Sequence, residues 1–270
     1  PIAAISATYD GLIHGNWLRA DPVNLRLQRD QMLLNQVSLD TNEAAQFCAS
    51  LNAHFKGQDI EFFTPHPQRW YLRSANNPSI HTTPLPELFG CNIRSKLPIG
   101  DDAQHWQRLF NEIQMLLHAH PLNEVREIRG DLSINSVWFW GEGQQTSPTS
   151  KNYQHVSSDD ELVAMFAAAT GIPFSPWNTQ WHNAKGKQLL VWSGLRTAIQ
   201  SGDLISWRNA LQDFEVSHAQ PLWQALKRGD VSEIKIDVLA GENSHHFTIN
   251  RHAIWKFWQH NKPLVGYSVA

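Results

Sequence analysis

The stretch 102–118 constrains the fold most strongly, because its apolar residues recur at every third or fourth position. This spacing predicts one long helix with a buried face. The apolar stripe consists of Trp106, Leu109, Phe110, Ile113, Leu116 and Leu117. Pro121 ends the pattern or restarts it in a new direction. The β-prone run 134–140, closed by Gly141, predicts a strand that packs beside this helix.

Several short segments before this helix predict strands, because apolar and polar residues alternate in them or β-prone residues cluster. These segments are residues 17–21, 23–27, 32–35, 59–64 and 70–73. We expect Pro22 to interrupt the first two, since proline donates no hydrogen bond to a strand ladder.

A second helix is predicted from Asp40 to about residue 54. Asp40 is a favourable N-cap residue, because its carboxylate can accept from a free backbone N–H of the first turn. Glu43 follows the cap by three residues and completes a capping-box pattern. Together these two residues predict where the helix begins.

The second half of the chain begins with a polar segment, 144–158, which predicts a linker or flexible loop. Beyond it we predict helices at 159–170, 203–214, 220–228 and 251–260, a strand at 188–192 and a hairpin over 234–249. Strands and helices do not alternate strictly, which favours a mixed α/β or α+β fold with mixed sheets and flanking helices. The predicted organisation is an α/β region at 1–143, the linker, and a C-terminal α/β region at 159–270 that can pack into the same domain.

Composition excludes several classes of function. The net charge of −3 provides no strong field to recruit nucleic acid or an anionic membrane. No apolar run reaches the roughly 20 residues that span a bilayer, and the first residues show no signal peptide. The two cysteines, Cys48 and Cys91, form neither a disulfide framework nor a metal-ligand spacing, which predicts a cytoplasmic protein. Pro1 fits either a processed start or a truncated chain.

Twelve tryptophans are the clearest departure from average composition. Tryptophan commonly builds a core, lines a pocket or anchors an interface. In the predicted last helix, Trp255, Phe257 and Trp258 are interpreted most simply as core packing. The alternative is that this aromatic region contacts a protein partner or a second copy of the chain.

Six polar residues are the candidate ligand-binding residues. They are Arg19, Asp21, Arg69, Asn123, Arg126 and Asn135. Arginine offers a planar fork suited to carboxylate or phosphate, and asparagine can orient a small polar ligand. One interpretation is therefore a cleft for a small anion.

The structural alternative is a closed network that stabilises the fold without binding a ligand. Arg19 and Asp21 alternate onto one strand face, where they can neutralise each other, and this structural pair is favoured. Asn123, Arg126 and Asn135 lie between two strongly apolar elements, so we expect them to converge at a helix–strand junction.

The sequence from His120 to Asn123, with Arg126, Gly130, Asn135 and the strand closed by Gly141, resembles cofactor-independent phosphoglycerate mutases of archaeal type. Trp140 stands where that pattern has arginine. The closer resemblance is to the RpfE-type regulatory-protein family, often labelled phosphoglycerate mutase by similarity. That resemblance extends over nearly the whole chain and includes residues 17–23, 69–72, 204–208 and 255–258.

The resemblance implies a fold of the alkaline phosphatase superfamily, whose chemistry needs two divalent metals and a Ser or Thr nucleophile. The expected Asp-Gly strand end, Asp-x-x-x-His pair and Asp-His pair do not occur here in a fitting context, so neither a metal site nor another cofactor is predicted. His118 and His120 lack a nearby Asp, and the adjacent His245 and His246 should point to opposite sides of a strand.

Three functional hypotheses follow from this combination. The first is a non-catalytic binding or regulatory protein derived from the mutase fold. The second is an active mutase or related phosphotransfer enzyme, using Mn or Zn, whose site is unusual or is completed by residues outside this chain. The third is a structural subunit that buries its tryptophan-rich end in a partner.

Overall fold

A computed structural model describes residues 2–13, 15–143, 152–183, 185–240 and 243–252 of the chain. Within these ranges the chain forms eight α-helices. They are α1 (Ile2–Tyr9), α2 (Thr41–His54), α3 (Ala103–His118), α4 (Pro121–Ile128), α5 (Glu161–Thr170), α6 (Arg196–Ser201), α7 (Leu204–Phe214) and α8 (Gln220–Arg228). In this part of the chain, no helix has the length and apolar character needed to cross a bilayer.

The strands of the same ranges form three sheets. They are β1 (Asn16–Gln28), β2 (Gln31–Gln36), β3 (Ile60–His66), β4 (Arg69–Ser74), β5 (Ser136–Trp140), β6 (His155–Ser158), β7 (Phe174–Pro176), β8 (Gln188–Val191), β9 (Glu233–Ala240) and β10 (Asn243–Asn250). The largest sheet is antiparallel and contains β1 to β5. Strands β7, β6 and β8 form a parallel sheet, and β9 and β10 form a hairpin. The predicted mixed α/β class is confirmed.

Strand β1 organises the largest sheet because it pairs with three other strands. It pairs with β4 as far as Arg19, with β5 from Arg19 to Val23, and with β2 from Val23 onward. The prediction that Pro22 interrupts this strand was wrong. Pro22 lies opposite Val137 of β5, in the short stretch between the β4 and β2 pairings, where the chain can stay extended without a ladder hydrogen bond on that side.

The predicted packing of the long helix on the following strand is confirmed. The ring of Trp106 on α3 meets that of Phe139 on β5 edge-on, with centroids 5.3 Å apart. Phe110 meets Trp138 in the same way at 6.1 Å. These rings lie in the main hydrophobic core, which α2 and the large sheet also line.

Helix α2 begins as predicted. The Asp40 carboxylate accepts from the Glu43 backbone N–H at 2.8 Å, and the Glu43 carboxylate accepts from the Asp40 N–H at 3.3 Å. This capping box consumes only part of the hydrogen-bonding capacity of Glu43, since a carboxylate accepts several bonds.

The end of the predicted linker is a strand instead of a loop. Residues 155–158 form β6, the central strand of the parallel sheet. Its polar composition hides it in the sequence, but Val156, Ser157 and Ser158 are all buried between β7 and β8. Residues 144–151 lie outside the described residues. The division of the chain into two regions stays a prediction.

Other elements of the C-terminal region agree with their predictions. Helices α5, α7 and α8, strand β8 and the β9–β10 hairpin lie where the sequence placed them. A π-helical turn, Glu215–Ala219, joins α7 to α8 without a break. Most of the predicted helix at 251–260, with Trp255, Phe257 and Trp258, lies outside the described residues.

A loop of the N-terminal half lies against helix α6. The Gln200 side chain donates from Nε2 to the Pro86 carbonyl at 2.6 Å. Gly90 has φ +79°, and a Cβ at this position would lie 2.5 Å from the Gln200 backbone oxygen. Gly130 has nearly the same φ, +81°, but nothing within 4 Å of its Cβ position.

These two glycines form a matched pair for a stability test. We expect Gly130→Ala to lower the free energy of unfolding by about 1–2 kcal/mol, the ordinary cost of a left-handed alanine. Gly90→Ala should lower it further, because the Gln200 carbonyl must also move. Urea unfolding of both variants measures the difference. Equal losses would contradict the contact between the loop and α6.

Candidate functional site

Arg19 and Asp21 form a buried ion pair on one face of β1. Residues two apart in a strand point to the same side of the sheet, so β1 places these side chains together. Arg19 donates from Nε to Asp21 Oδ1 at 3.0 Å and from Nη2 to Oδ2 at 2.8 Å. The two side chains are only 7% and 3% exposed. The structural pair that the sequence favoured is therefore formed.

Asp21 also accepts hydrogen bonds from outside β1. The indole of Trp140 donates at 2.7 Å and the backbone N–H of Trp70 at 3.2 Å. The Arg19 guanidinium lies over the rings of Trp140 and Tyr71, 5.1 and 5.3 Å from their centroids. Burial raises the pKa of the Asp21 carboxyl, against the lowering effect of Arg19 and the N–H donors. Trp140 thus contacts both members of this pair.

Arg69 links the large sheet to two carboxylates. It donates to both oxygens of Asp10, at 2.9 and 2.7 Å, and to Glu161 at 2.6 Å. The Tyr71 hydroxyl donates to Asp10 at 2.5 Å, and burial raises the pKa of this phenol. Burial alone would raise the pKa of Asp10, but the hydrogen bonds from Arg69 and Tyr71 lower it overall. Asp10 is thereby held as a carboxylate whose two oxygens are both engaged.

These contacts join into one group, which we call the central network. Its members are Asp10, Arg19, Asp21, Arg69, Tyr71, Trp140 and Glu161. Arginine and carboxylate charges pair throughout it, so any incoming anion would have to displace an acidic side chain.

A second group, the Glu43 network, comprises Glu43, Arg126 and Arg129. Arg126 is 1% exposed and donates to Glu43 at 2.7 Å, to the Leu132 carbonyl at 3.0 Å and to the Ser38 carbonyl at 2.8 Å. Arg129 reaches the other Glu43 oxygen at 2.5 Å from the surface. Arg126 therefore connects α2, α4 and the two loops that flank them.

The two candidate asparagines bond to the backbone. Asn123 donates to the carbonyls of Leu117 and Ile134 at 2.8 and 2.9 Å, and accepts from the Ile134 N–H at 2.7 Å. Asn135 donates to the Leu25 carbonyl at 2.9 Å and accepts from its N–H at 2.7 Å. Each amide thus connects the residues just before β5 to a neighbouring element.

The six candidate residues are thus distributed over several arrangements. Arg19, Asp21 and Arg69 lie in the central network, Arg126 lies in the Glu43 network, and the two asparagines secure backbone groups. Asn123 and Arg126 both hold the segment before β5, whereas the Asn135 side chain bonds to Leu25 of β1. Two of the three residues expected at this junction therefore meet there. That all six line a ligand cleft stays a prediction.

Sequence reasoning missed the acidic partners. Asp10 lies 59 positions from Arg69, and Glu161 lies 92 positions from it, so no local spacing announces either pair. The sequence predicts Glu43 as a capping residue, but nothing in the capping pattern indicates its bonds to Arg126 and Arg129. The sequence signal that could have found these acidic residues is an arginine in a buried strand, because buried charged side chains are almost always paired.

A groove of about 750 Å³ lies between α2 and α3 and reaches the start of α4. His54 and Glu112 bridge its two walls at 2.8 Å. Ser50 and His120 lie within it, with Ser50 Oγ 2.9 Å from His120 Nε2. A Ser–His pair in a groove raises the question of nucleophilic catalysis.

The hydrogen bonds of His120 answer this question. As N-cap of α4, His120 accepts the Leu122 N–H at Nδ1, 3.3 Å away. Burial lowers the pKa of His120, which favours the neutral ring. The ring proton then lies on Nε2 and is donated to Ser50, so the imidazole has no free lone pair with which to deprotonate the hydroxyl. The pair is suited to holding the two helices together.

This assignment predicts a pH dependence of stability. Because the folded pKa of His120 lies below its unfolded value of about 6.5, its contribution is complete above that pH and is lost as the pH falls through the folded pKa. The full loss is one helix cap, about 1 kcal/mol. Urea unfolding between about pH 8 and pH 5 should show this fall. His120→Asn keeps a capping group without a titrating ring, so the fall should be smaller in that variant; an identical fall would contradict the assignment.

Potential metal ligands are dispersed in the described ranges. No three His, Cys, Asp or Glu side chains there lie where they could share an ion. His246 pairs with Asp237 at 2.7 Å on the polar face of the hairpin, and His245 lies opposite Val238 on the other face. Asp10 follows helix α1 rather than a strand, and arginine and tyrosine occupy its carboxylate.

Comparison with known proteins gives a relationship in sequence. The chain is 28% identical over 107 residues to 2,3-bisphosphoglycerate-independent phosphoglycerate mutase of Methanosarcina mazei, covering 39% of this chain and 27% of that protein. It is 27% identical over 131 residues to the probable enzyme of that name from Geobacter sulfurreducens, covering 47% and 33%. A 65-residue match to the Methanothrix thermoacetophila mutase reaches 35% identity and covers 24% and 17%.

These matches define a low-identity relationship to cofactor-independent phosphoglycerate mutases over part of the chain. In them the chain spans a third or less of each relative's length. No family model matches the chain.

Two solved structures are also similar. The cofactor-independent phosphoglycerate mutase from Thermoplasma acidophilum has a TM-score of 0.42 at 12% identity, covering 78% of this chain and 64% of that one. A protein from Pyrococcus horikoshii has a TM-score of 0.43 at 15% identity, covering 87% and 62%.

Proposed function

We propose that this chain is a phosphoglycerate-mutase-like protein that acts by binding or regulation and not by catalysis. The observation that carries the proposal is that its buried carboxylates are already paired with arginines. Asp10, Asp21 and Glu43 are each held by arginine within a closed network. A carboxylate so engaged is a poor ligand for a divalent metal, because the metal must first displace a paired guanidinium.

The chemistry expected from the mutase resemblance supports the same proposal. That chemistry uses two metals to activate a hydroxyl nucleophile and to stabilise the transferring phosphoryl group. The donor set of the described residues does not fit such a pair. Ser50 has a histidine neighbour, but the hydrogen bonds of His120 leave it a donor and not a base. A regulatory role of the RpfE type is the form of this function that we propose.

The alternative is an active mutase or a related Mn- or Zn-dependent phosphotransfer enzyme. It is favoured by the sequence relationship to named mutases. Because the matches span a third or less of those proteins, residues outside this chain can complete a site that the chain alone lacks.

Turnover of 3-phosphoglycerate by the purified chain with added Mn²⁺ separates the two functions. We expect no conversion above the metal-only control and no stoichiometric zinc or manganese after dialysis. Conversion that depends on protein concentration would overturn the proposal. Such activity should then be compared in Ser50→Ala and in the exposed Ser201→Ala, which lies on α6 and serves as the matched control.

A further inference from the structure

Another cavity, of about 580 Å³, lies between the chain after β7 and helix α8. One wall consists of helical residues spaced four apart: Val216, Gln220, Gln224 and Arg228. Residues at this spacing share one face of a helix. Residues 181–183 form the opposite wall, and the Trp181 backbone N–H donates to the Ser217 carbonyl at 2.9 Å. This bond ties the two walls together.

Aromatic packing behind the cavity fixes the helical wall. His218, on the π-helical turn, is 3% exposed and stacks on Trp177 with ring centroids 4.2 Å apart. It is also stacked with Phe214, at 5.6 Å. Its Nδ1 lies 2.7 Å from Ser217 Oγ. The wall is therefore formed before any ligand arrives, as is usual for small-molecule sites.

The lining has a distinctive chemistry. Trp181 and Trp223 offer two indole rings, whose flat faces can stack on a planar ligand. Asn183, Gln220 and Gln224 each offer a carbonyl acceptor and an amide donor. A carboxamide of this kind matches the edge of a purine. Adenine in particular can donate a hydrogen bond from N6 to the amide oxygen and accept one at N7 from the amide nitrogen.

Its cationic groups are an arginine and a lysine. Arg228 lines the cavity, and Lys227 Nζ lies 5.4 Å over the Trp223 ring. No Asp or Glu belongs to the described lining. Arg228 holds Asp230 through Nε, but its side chain is 62% exposed, so its fork stays accessible to a second anion.

We propose that this cavity binds a nucleoside monophosphate with an adenine base, the ring stacking on indole and the phosphate facing Arg228. A neutral sugar fits less well, because it carries no anionic group for Arg228. The proposal is independent of the proposed binding or regulatory function, since it concerns a different part of the fold.

Calorimetric titration of the full chain with adenosine monophosphate, adenosine and ribose 5-phosphate tests it. We expect the monophosphate to bind more tightly than either fragment. Trp181→Ala should weaken its binding at least about fivefold, the lower range for loss of one base–aromatic stack. No binding of the monophosphate at millimolar concentration would overturn the proposal, and so would equal binding of ribose 5-phosphate, because the base would then be unrecognised.

Charge variants provide a test that spares the packing. Gln224→Glu places a carboxylate in the cavity and should abolish binding of the monophosphate, whereas Gln212→Glu, on exposed α7, should leave it unchanged. Arg228→Gln should weaken the monophosphate but not adenosine, with Arg208→Gln on α7 as control. Equal effects of cavity and control variants would overturn the site. Mutase turnover is a separate measurement, so failure here and failure of the proposed function are distinguishable.

Discussion

Asp21→Ala should lower the free energy of unfolding by about 3–5 kcal/mol, the usual loss when one member of a buried ion pair is removed. The variant leaves the Arg19 guanidinium buried without its carboxylate. It also removes the acceptor of the Trp140 indole and of the Trp70 backbone N–H. Urea unfolding followed by tryptophan fluorescence measures the loss.

Two controls identify the cause of this loss. Arg19→Met combined with Asp21→Ala removes the stranded charge, so the double variant should be more stable than Asp21→Ala alone. Arg73 and Glu61 form an ion pair on the same sheet with 44% and 49% exposure, and Arg73→Ala should cost at most about 1 kcal/mol. A loss for Asp21→Ala as small as that of Arg73→Ala would contradict the expected cost of leaving the Arg19 guanidinium buried and unpaired.

Arg126→Ala should have a comparable effect, a loss of about 3 kcal/mol or more. Its side chain is 1% exposed and serves Glu43 together with two carbonyl groups, those of Ser38 and Leu132. Arg126→Lys should recover little, because one ammonium cannot reach three acceptors in the directions of a planar fork. Thermal and urea unfolding both report the change.

Arg129→Ala is the matched control for this variant. Arg129 bonds to the same Glu43 carboxylate from the surface, where it is 46% exposed. Removing Arg129 should therefore lower the free energy of unfolding much less than removing Arg126 does, because solvent screens an exposed ion pair. If Arg126→Ala instead leaves stability unchanged and removes binding of an anionic ligand, Arg126 is a binding residue and the Glu43 network is not its main role.

The parts of the fold that the sequence predicts are those specified by near neighbours. Helix α3 follows from its apolar spacing, and the start of α2 follows from Asp40 and Glu43, three residues apart. In the same way the β9–β10 hairpin follows from two β-prone runs with a short turn between them. Each of these signals is local, so no knowledge of distant contacts is needed.

The parts that escaped prediction depend on distant partners. Strand β6 is polar and becomes a strand because β7 and β8 lie on either side of it. Pro22 is accommodated by an exchange of partners along β1 that only the assembled sheet reveals. Of the candidate site, the sequence found the arginines and asparagines, but Asp10 and Glu161 are paired across 59 and 92 positions.

The three-partner strand β1 has a consequence for the order of folding during synthesis. Asp21 and its indole donor Trp140 are 119 residues apart, so ribosomes need roughly 6 to 24 seconds to make the chain between them. The edge of β1 that pairs with β5 stays without this partner during that interval, and non-local pairing of this kind is slow to nucleate. Arg19 and Asp21 lie on the same strand and can neutralise each other meanwhile. The nascent segment can therefore form its ion pair before the strand that buries it has been made.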